Sequence, residues 1–175
     1  MDVGFGPQSA PRPLRLKEDR ITTAIAPAEM RLLKDSIPDL TDQGQKVWIY
    51  QTRYNPNKKW ISAFCFSEVE FSPRDFDMMN FYVSKNSTSW FTQKFVCTLM
   101  ILDEAKETII GEYILSNNEV KRRVQGQSEI LVKLETEKDR VAALAQWFDM
   151  HLLNEEIQGN QGMVSQISWG TNGRL

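Results

Sequence analysis

Pro73-Arg74-Asp75-Phe76-Asp77-Met78-Met79-Asn80-Phe81-Tyr82-Val83-Ser84 is the stretch on which the fold reading turns. Proline follows Ser72 where a first helical position tolerates it, because the missing N–H has no intrahelical partner there anyway. Asp75 adds negative charge near the positive end of the helix dipole. Phe76, Met79, Asn80 and Val83 recur at i, i+3, i+4 and i+7, the spacing of one helical face. The spacing predicts a helix over residues 73–84 with that face buried, and a buried Asn80 amide must then be hydrogen-bonded, bridging two units. Strand-forming composition lies on both sides of it. A helix between two runs of strands, rather than alternating with them, makes the fold class α+β.

Upstream, the prolines at 7, 11 and 13 cannot donate a regular ladder of hydrogen bonds, so residues 7–16 form an extended connection leading to Leu14 and Leu16. Residues 21–26 are apolar enough for a strand that Pro27 ends, whereas 28–34 fit a short helix or a second strand equally. Val47, Trp48, Ile49, Tyr50 and Thr52 are strand formers, Asn55-Pro56-Asn57-Lys58 marks a turn, and residues 60–69 resume β composition, which is a hairpin.

Downstream, residues 95–102, 107–115, 119–125 and 130–134 read as four strands, with Asn117-Asn118 a tight turn between the second and third. Thr136 caps the helix that covers this sheet, Asp139 stands three residues later, and Val141, Leu144, Phe148 and Leu152 make its apolar stripe. Beyond Leu153 the chain turns polar, so residues 154–175 read as a loosely ordered tail. Internal repeats and low-complexity tracts are absent.

Composition narrows the function classes. The chain has 175 residues, 41% of them hydrophobic and 25% charged, with a net charge of -2. That length suffices for one domain or two small ones, and the charge balance offers no basic excess for nucleic acid. Apolar runs fall well short of the roughly 20 residues a membrane span needs, and no signal-peptide core opens the sequence, so a soluble, cytoplasmic protein is expected. Two cysteines, Cys65 and Cys97, make no disulfide framework, and neither has a second Cys or His at metal-ligand spacing. Both read as buried thiols packed in strands, with no cation or helix start to lower their pKa. No resident metal is expected.

Two further runs carry chemistry. Asp2-Val3-Gly4-Phe5-Gly6 opens the chain, and Asp75-Phe76-x-Met78-Met79-Asn80-Phe81 is followed by Ser84 and by Ser87-Thr88-Ser89-x-Phe91-Thr92. In this order they resemble the carboxyl-terminal part of the arylamine N-acetyltransferases of fungal type, over residues 1–153. The resemblance implies that 1–71 are the remainder of a partial antiparallel β-barrel domain, 72–94 an interdomain helical segment, and 95–153 an α/β lid. Members of that family carry an acetyl group from acetyl-CoA to a cysteine thiol and then to an arylamine or hydrazine, so acyl-CoA is a co-substrate, with no bound cofactor. Asp2 matches the triad aspartate. Gly6, Thr88 and Ser89 correspond to CoA-contacting positions, and Phe5, Pro7 and Ser9 to positions lining the acceptor pocket.

The same comparison implies a deficit. A thiol with a pKa near 8.5 is only a few per cent ionised at neutral pH, so an acyl-accepting cysteine needs an imidazole partner, itself oriented by a carboxylate. The family's cysteine and histidine would lie upstream of Asp2, and the chain is expected to be an inactive fragment by itself. His151, the single histidine, reads as a structural residue at the end of the last helix, where the dipole favours an imidazolium. Lys121, Arg122 and Arg123 read as a solvated face rather than a CoA-phosphate site. The tryptophans read as core or interface residues, Trp90 being the one placed near a ligand. A non-catalytic CoA-binding or protein-interaction α+β domain is the alternative.

Overall fold

A computed structural model describes residues 9–105 and 107–168. Within them the element order is β1 (Thr22–Thr23), β2 (Glu29–Asp35), β3 (Val47–Arg53), β4 (Ile61–Phe66), α1 (Pro73–Lys85), α2 (Trp90–Gln93), β5 (Val96–Leu102), β6 (Ile109–Ser116), β7 (Glu119–Val124), β8 (Gln127–Lys133), α3 (Glu137–Phe148) and α4 (Asn154–Gln158). The α+β expectation holds. The chain divides into two compact units, residues 1–70 with 102–111 and 124–127, and residues 71–101 with 112–123 and 128–175.

In the first unit the strands form one open sheet in the order β1-β2-β3-β4, every pair antiparallel, with β1 and β4 at its edges. Residues 28–34, which the sequence left open between helix and strand, belong largely to β2. The register fixes the faces. Leu32 lies opposite Tyr50, Lys34 opposite Trp48, and across the next pair Tyr50 opposes Phe64 and Trp48 opposes Phe66. Because side chains alternate with a period of two, Leu32, Trp48, Tyr50, Phe64 and Phe66 fall on one face. Met30, Leu32, Trp48 and Tyr50 form the buried core there, with Phe64 and Phe66 packed against it. Tyr50 and Phe64 stack with ring centroids 4.9 Å apart. The opposite face carries the buried Ile49 and a polar cluster: Arg31 and Arg53 both lie 4.4 Å from the Trp60 ring centroid, and they bond Asp19 at 2.9 Å and Glu29 at 2.6 Å.

Cys65 alternates away from Phe64 and Phe66 on edge strand β4 and is exposed. The expectation of a buried thiol there is corrected. Edge position outweighs the aromatic neighbours, because those neighbours occupy the other face of the same strand.

In the second unit the sheet order is β5-β6-β7-β8. Two-residue connections make β6-β7 and β7-β8 hairpins. Asn117 adopts a left-handed conformation at φ 54°, as its short polar side chain allows, and Gln125-Gly126 turns with φ 50° and 79°. At Gly126 an added Cβ would sit 2.9 Å from Pro27 Cδ, so a side chain is excluded by space as well as by backbone conformation.

Helix α3 begins at a reciprocal cap. Thr136 Oγ1 accepts from Asp139 N–H at 3.2 Å, and Asp139 Oδ2 accepts from Thr136 N–H at 2.8 Å. The Thr136 hydroxyl, donating to Asp139 Oδ2 at 2.9 Å, holds the Asp139 carboxyl below its ordinary range, with the Thr136 and Glu135 N–H groups assisting. Ala143, Leu144 and Phe148 pack against Leu115, Val120 and Leu134. The buried face also includes Glu137 and Arg140 in its first turns, so it is rotated from the predicted stripe: Val141 is only partly buried. The helix closes at Asp149, φ 53°. Leu152 and His151 therefore lie past its end, and the His151 ring, 75% exposed and 3.3 Å from Asp149, has no place in the last turn.

The segment read as a loosely ordered tail contributes to this unit. Glu137 Oε1 accepts from Ile167 N–H at 2.6 Å and Asn160 Nδ2 at 3.0 Å, while Arg140 Nη2 donates to Ser165 O at 2.7 Å. Arg140 also pairs with Glu137 at 3.0 Å and lies 4.8 Å from the centroid of the Phe95 ring. The family expectation placed residues 72–94 between two domains, and α1 does form there, its start fixed by Asp75 Oδ2 accepting from the Ser72 N–H and hydroxyl, both at 2.7 Å. The predicted burial of its stripe does not follow. No residue of α1 is buried. Phe76 is 57% and Met79 45% exposed, and Asn80 is exposed rather than an internal bridge. Periodicity revealed a face, but none of the described residues covers it.

Three outcomes check this description. Arg140→Ala strands the Glu137 carboxylate in a buried site and is expected to cost about 3–5 kcal/mol in denaturant unfolding, against under about 1 kcal/mol for Lys46→Ala in the exposed pair with Asp35. Glu112, fully buried beside Arg123, has its carboxyl pushed above 4.5 by burial, the arginine opposing. The folded state therefore holds that proton more tightly than the unfolded one, and this contribution is fully present below 4.5 and lost as pH rises through the folded value. The stability of wild type relative to Glu112→Gln should accordingly fall as pH rises from 4.5 toward neutrality; a rise instead would mean that the pairing with Arg123 outweighs burial. Third, the uncovered apolar face of α1 should drive self-association in light scattering, and Phe76→Ser with Met79→Ser should reduce it while shifting stability by under about 1 kcal/mol.

Candidate functional site

The first unit contains a cavity of 580 Å³ over the apolar face of its sheet. Leu32 of β2, Tyr50 of β3, and Phe64 and Phe66 of β4 form its floor, and the proline-rich segment 9–14 crosses it. The register explains the floor, since antiparallel pairing brings these side chains together from three strands. The proline-rich segment stays extended because each ring fixes its own φ and biases the residue before it away from helix. It is tied down by Arg12, whose Nη2 donates to Thr23 O at 3.1 Å.

The walls are mostly apolar, and the polar groups are few. Tyr50, 1% exposed, directs its hydroxyl to Met30 Sδ at 3.8 Å, and burial pushes its pKa up to about 12, so it stays a neutral phenol. Ser9 Oγ is buried with no hydrogen-bond partner among the described residues. Ser9 thus shapes the wall of the open cavity with an Oγ that is itself shielded from solvent.

Of the site residues read from sequence, Ser9 lines this cavity. Asp2, Phe5, Gly6 and Pro7 lie outside the described residues. Thr88 and Ser89 belong to the second unit, in a tight turn. Asn86 Oδ1 accepts from both Thr88 N–H and Thr88 Oγ1 at 2.9 Å, and Ser89 Oγ accepts from Phe91 N–H at 3.3 Å as the cap of α2. Thr88 is exposed, and Trp90 beside it is 45% exposed rather than a core residue. Lys121, Arg122 and Arg123 pair with Glu119, Glu129 and Glu112, so this basic run is matched by carboxylates.

The second unit also brings Cys97 to Met150, next to His151 and Asp149. The Cys97 thiol donates to Met150 Sδ at 3.5 Å, and burial pushes its pKa up. Asp149 engages the imidazole, but the thiol bonds the thioether instead, so nothing here generates a thiolate. Reading by sequence missed Arg12, Tyr50, Phe64 and Phe66 as cavity residues. The alternation in residues 48–50 and 64–66 carried that signal, which the pairing of β3 with β4 makes explicit.

Comparison with known proteins agrees with this arrangement. A family model described as N-acetyltransferase matches residues 1–157. An N-malonyltransferase FDB2 of Gibberella moniliformis is 37% identical over 163 residues, covering 89% of this chain and 47% of the relative. The N-malonyltransferase FDB2 of Fusarium pseudograminearum is 34% identical over 167 residues, 91% of this chain and 49% of the relative. The chain thus spans about half the length of the curated relatives it matches. Among solved structures, the arylamine N-acetyltransferase from Salmonella typhimurium superposes with a TM-score of 0.68 at 25% identity, covering 89% of this chain and 53% of that one. The Mycobacterium marinum enzyme in complex with CoA superposes with a TM-score of 0.65 at 22% identity, covering 85% and 47%. With the family model spanning residues 1–157 and relatives above 30% identity covering most of this chain, this chain belongs to the arylamine N-acetyltransferase family.

Proposed function

We propose that this chain forms the acceptor cavity and part of the acyl-CoA contacts of an N-acyltransferase acting on small aromatic amines or hydrazines. The observation that carries this reading is the 580 Å³ aromatic-floored cavity bearing Ser9, a few residues after Asp2-Val3-Gly4-Phe5-Gly6 in a chain of this family. In the chemistry proposed, a cysteine thiolate attacks the thioester carbonyl and releases CoA; the amine then attacks the enzyme thioester and the thiolate leaves. Asp2 is the proposed carboxylate that orients the imidazole. Gly6, Thr88 and Ser89 are proposed on CoA, and Phe5, Pro7 and Ser9 on the acceptor.

Residues 1–71 are read as the remainder of a barrel domain, 72–94 as interdomain, and 95–153 as the lid. The donor is acetyl-CoA or malonyl-CoA, the latter because the curated relatives carry the name N-malonyltransferase. The sequence supplies one carboxylate of the required trio. Among the described residues Cys65 is exposed without an activating partner, Cys97 is held as a thiol and His151 engages Asp149 alone, so we assign the thiolate and imidazole to groups other than these.

A non-catalytic interaction domain is a second reading, favoured by the uncovered apolar face of α1.

Calorimetry separates the two. The purified chain should bind CoA with a dissociation constant below millimolar, and Thr88→Ala should weaken it roughly three- to tenfold, the worth of one hydrogen bond. Mixed with acetyl-CoA or malonyl-CoA and an arylamine, the chain should form no amide. Absence of heat at millimolar CoA would remove the acyl-CoA reading in favour of the interaction domain, and turnover by the chain alone would overturn the assignment of the thiolate elsewhere.

A further inference from the structure

Among the described residues Arg12 is the one guanidinium on the wall of the large cavity, and it is exposed. Arginines 31, 53, 122, 123 and 140 each lie against a carboxylate, whereas Arg12, like Arg15, Arg20 and Arg74, has none among the described residues; it makes one bond there, to the Thr23 carbonyl. The remaining donors of its fork are uncommitted. Arg15 and Arg20 line a smaller hollow of 150 Å³ that shares Pro13, Leu14 and Leu32 with the cavity, so positive charge gathers along this edge of the aromatic floor. Among the described residues no acidic side chain lines either space.

These features select a ligand. An aromatic floor accepts an aryl ring or an acyl chain, but a bare anion entering it loses hydration and needs a charged hydrogen-bonding partner. Carboxylate matches the planar fork of arginine, which offers two parallel N–H donors. Tyr50 cannot take that role, being neutral and already bonded to Met30.

We propose that Arg12 is a specificity-determining residue that recognises a carboxylate on the ligand entering the cavity, the terminal carboxylate of a malonyl-type acyl group. This rests on the cavity being the acyl-transfer site proposed above. An acetyl group lacks that carboxylate and gains nothing from Arg12. A carboxylated aromatic acceptor, such as an aminobenzoate, presents the same chemistry from the other substrate.

Titration calorimetry on the full chain tests it, with malonyl-CoA, acetyl-CoA, 4-aminobenzoate and aniline as probes against wild type, Arg12→Gln and Arg12→Lys. Wild type should prefer malonyl-CoA to acetyl-CoA by roughly tenfold, the scale of one charge-assisted contact at a partly open site. Arg12→Gln should lower malonyl-CoA affinity roughly tenfold and so abolish the preference, beside any shift in melting temperature from losing the bond to Thr23, and Arg12→Lys should restore part of the preference. A purely structural tie to Thr23 would move the melting temperature and leave the preference alone. Equal binding of both thioesters by wild type and Arg12→Gln, with aminobenzoate no tighter than aniline, overturns the role of Arg12 while leaving the acyl-CoA reading standing. If 4-aminobenzoate alone shows the Arg12-dependent preference over aniline, the malonyl assignment is overturned and the carboxylate belongs to the acceptor. No binding of either thioester removes the acyl-CoA reading and this proposal together.

Discussion

The register of β3 between β2 and β4 is the constraint on which the candidate site depends. Side chains on a strand alternate, so a slip of one residue would send Trp48 and Tyr50 to the polar face and bring Ile49 and Gln51 into the cavity. Pairing of Leu32 with Tyr50, and of Tyr50 with Phe64, fixes that choice and makes a continuous aromatic floor. The two faces reinforce the same register. One excludes water over Met30, Leu32, Trp48 and Tyr50, while the other stacks two guanidinium groups on Trp60, each matched by a carboxylate. A floor set by backbone pairing stays in place while the proline-rich segment above it supplies Ser9 and Arg12.

The second unit solves a different problem with the same economy. Helix α3 must cover a four-stranded sheet, and its apolar stretch from Ala143 to Phe148 does so. Its first turns are polar on the buried side, and there the sequence returns from residue 160 onward, Asn160 and Ile167 donating to the Glu137 carboxylate and Ser165 accepting from one nitrogen of Arg140. A buried ion pair contributes little net stability when compared with apolar packing, but losing one member is costly. The pair therefore determines where the chain after α3 can go.

Much of this was legible in the sequence. Strand-forming composition gave β3 and the four downstream strands, Pro73 and Asp75 gave the start of α1, and Thr136 with Asp139 gave the start of α3. The family runs gave the family. What failed did so for physical reasons. Helical spacing in Phe76, Met79 and Val83 indicates a face but carries no information about what covers it, so burial of α1 and of Asn80 did not follow. Cys65 was judged by its neighbours, which alternate to the opposite side. His151 was placed on a helix that Asp149 ends two residues earlier. Arg12 went unnoticed because an isolated arginine in a proline-rich segment has no periodicity to mark it, and only folding places it on an aromatic wall.

Resonance perturbation in a labelled sample titrated with malonyl-CoA tests the central claim most directly, since it locates the ligand without requiring turnover. The account predicts that the amides and side chains of Ser9, Arg12, Tyr50 and Phe64 shift together, while Trp60 and its arginines on the opposite face stay fixed. Saturable shifts confined to other regions, with the floor of the cavity unmoved, would contradict it.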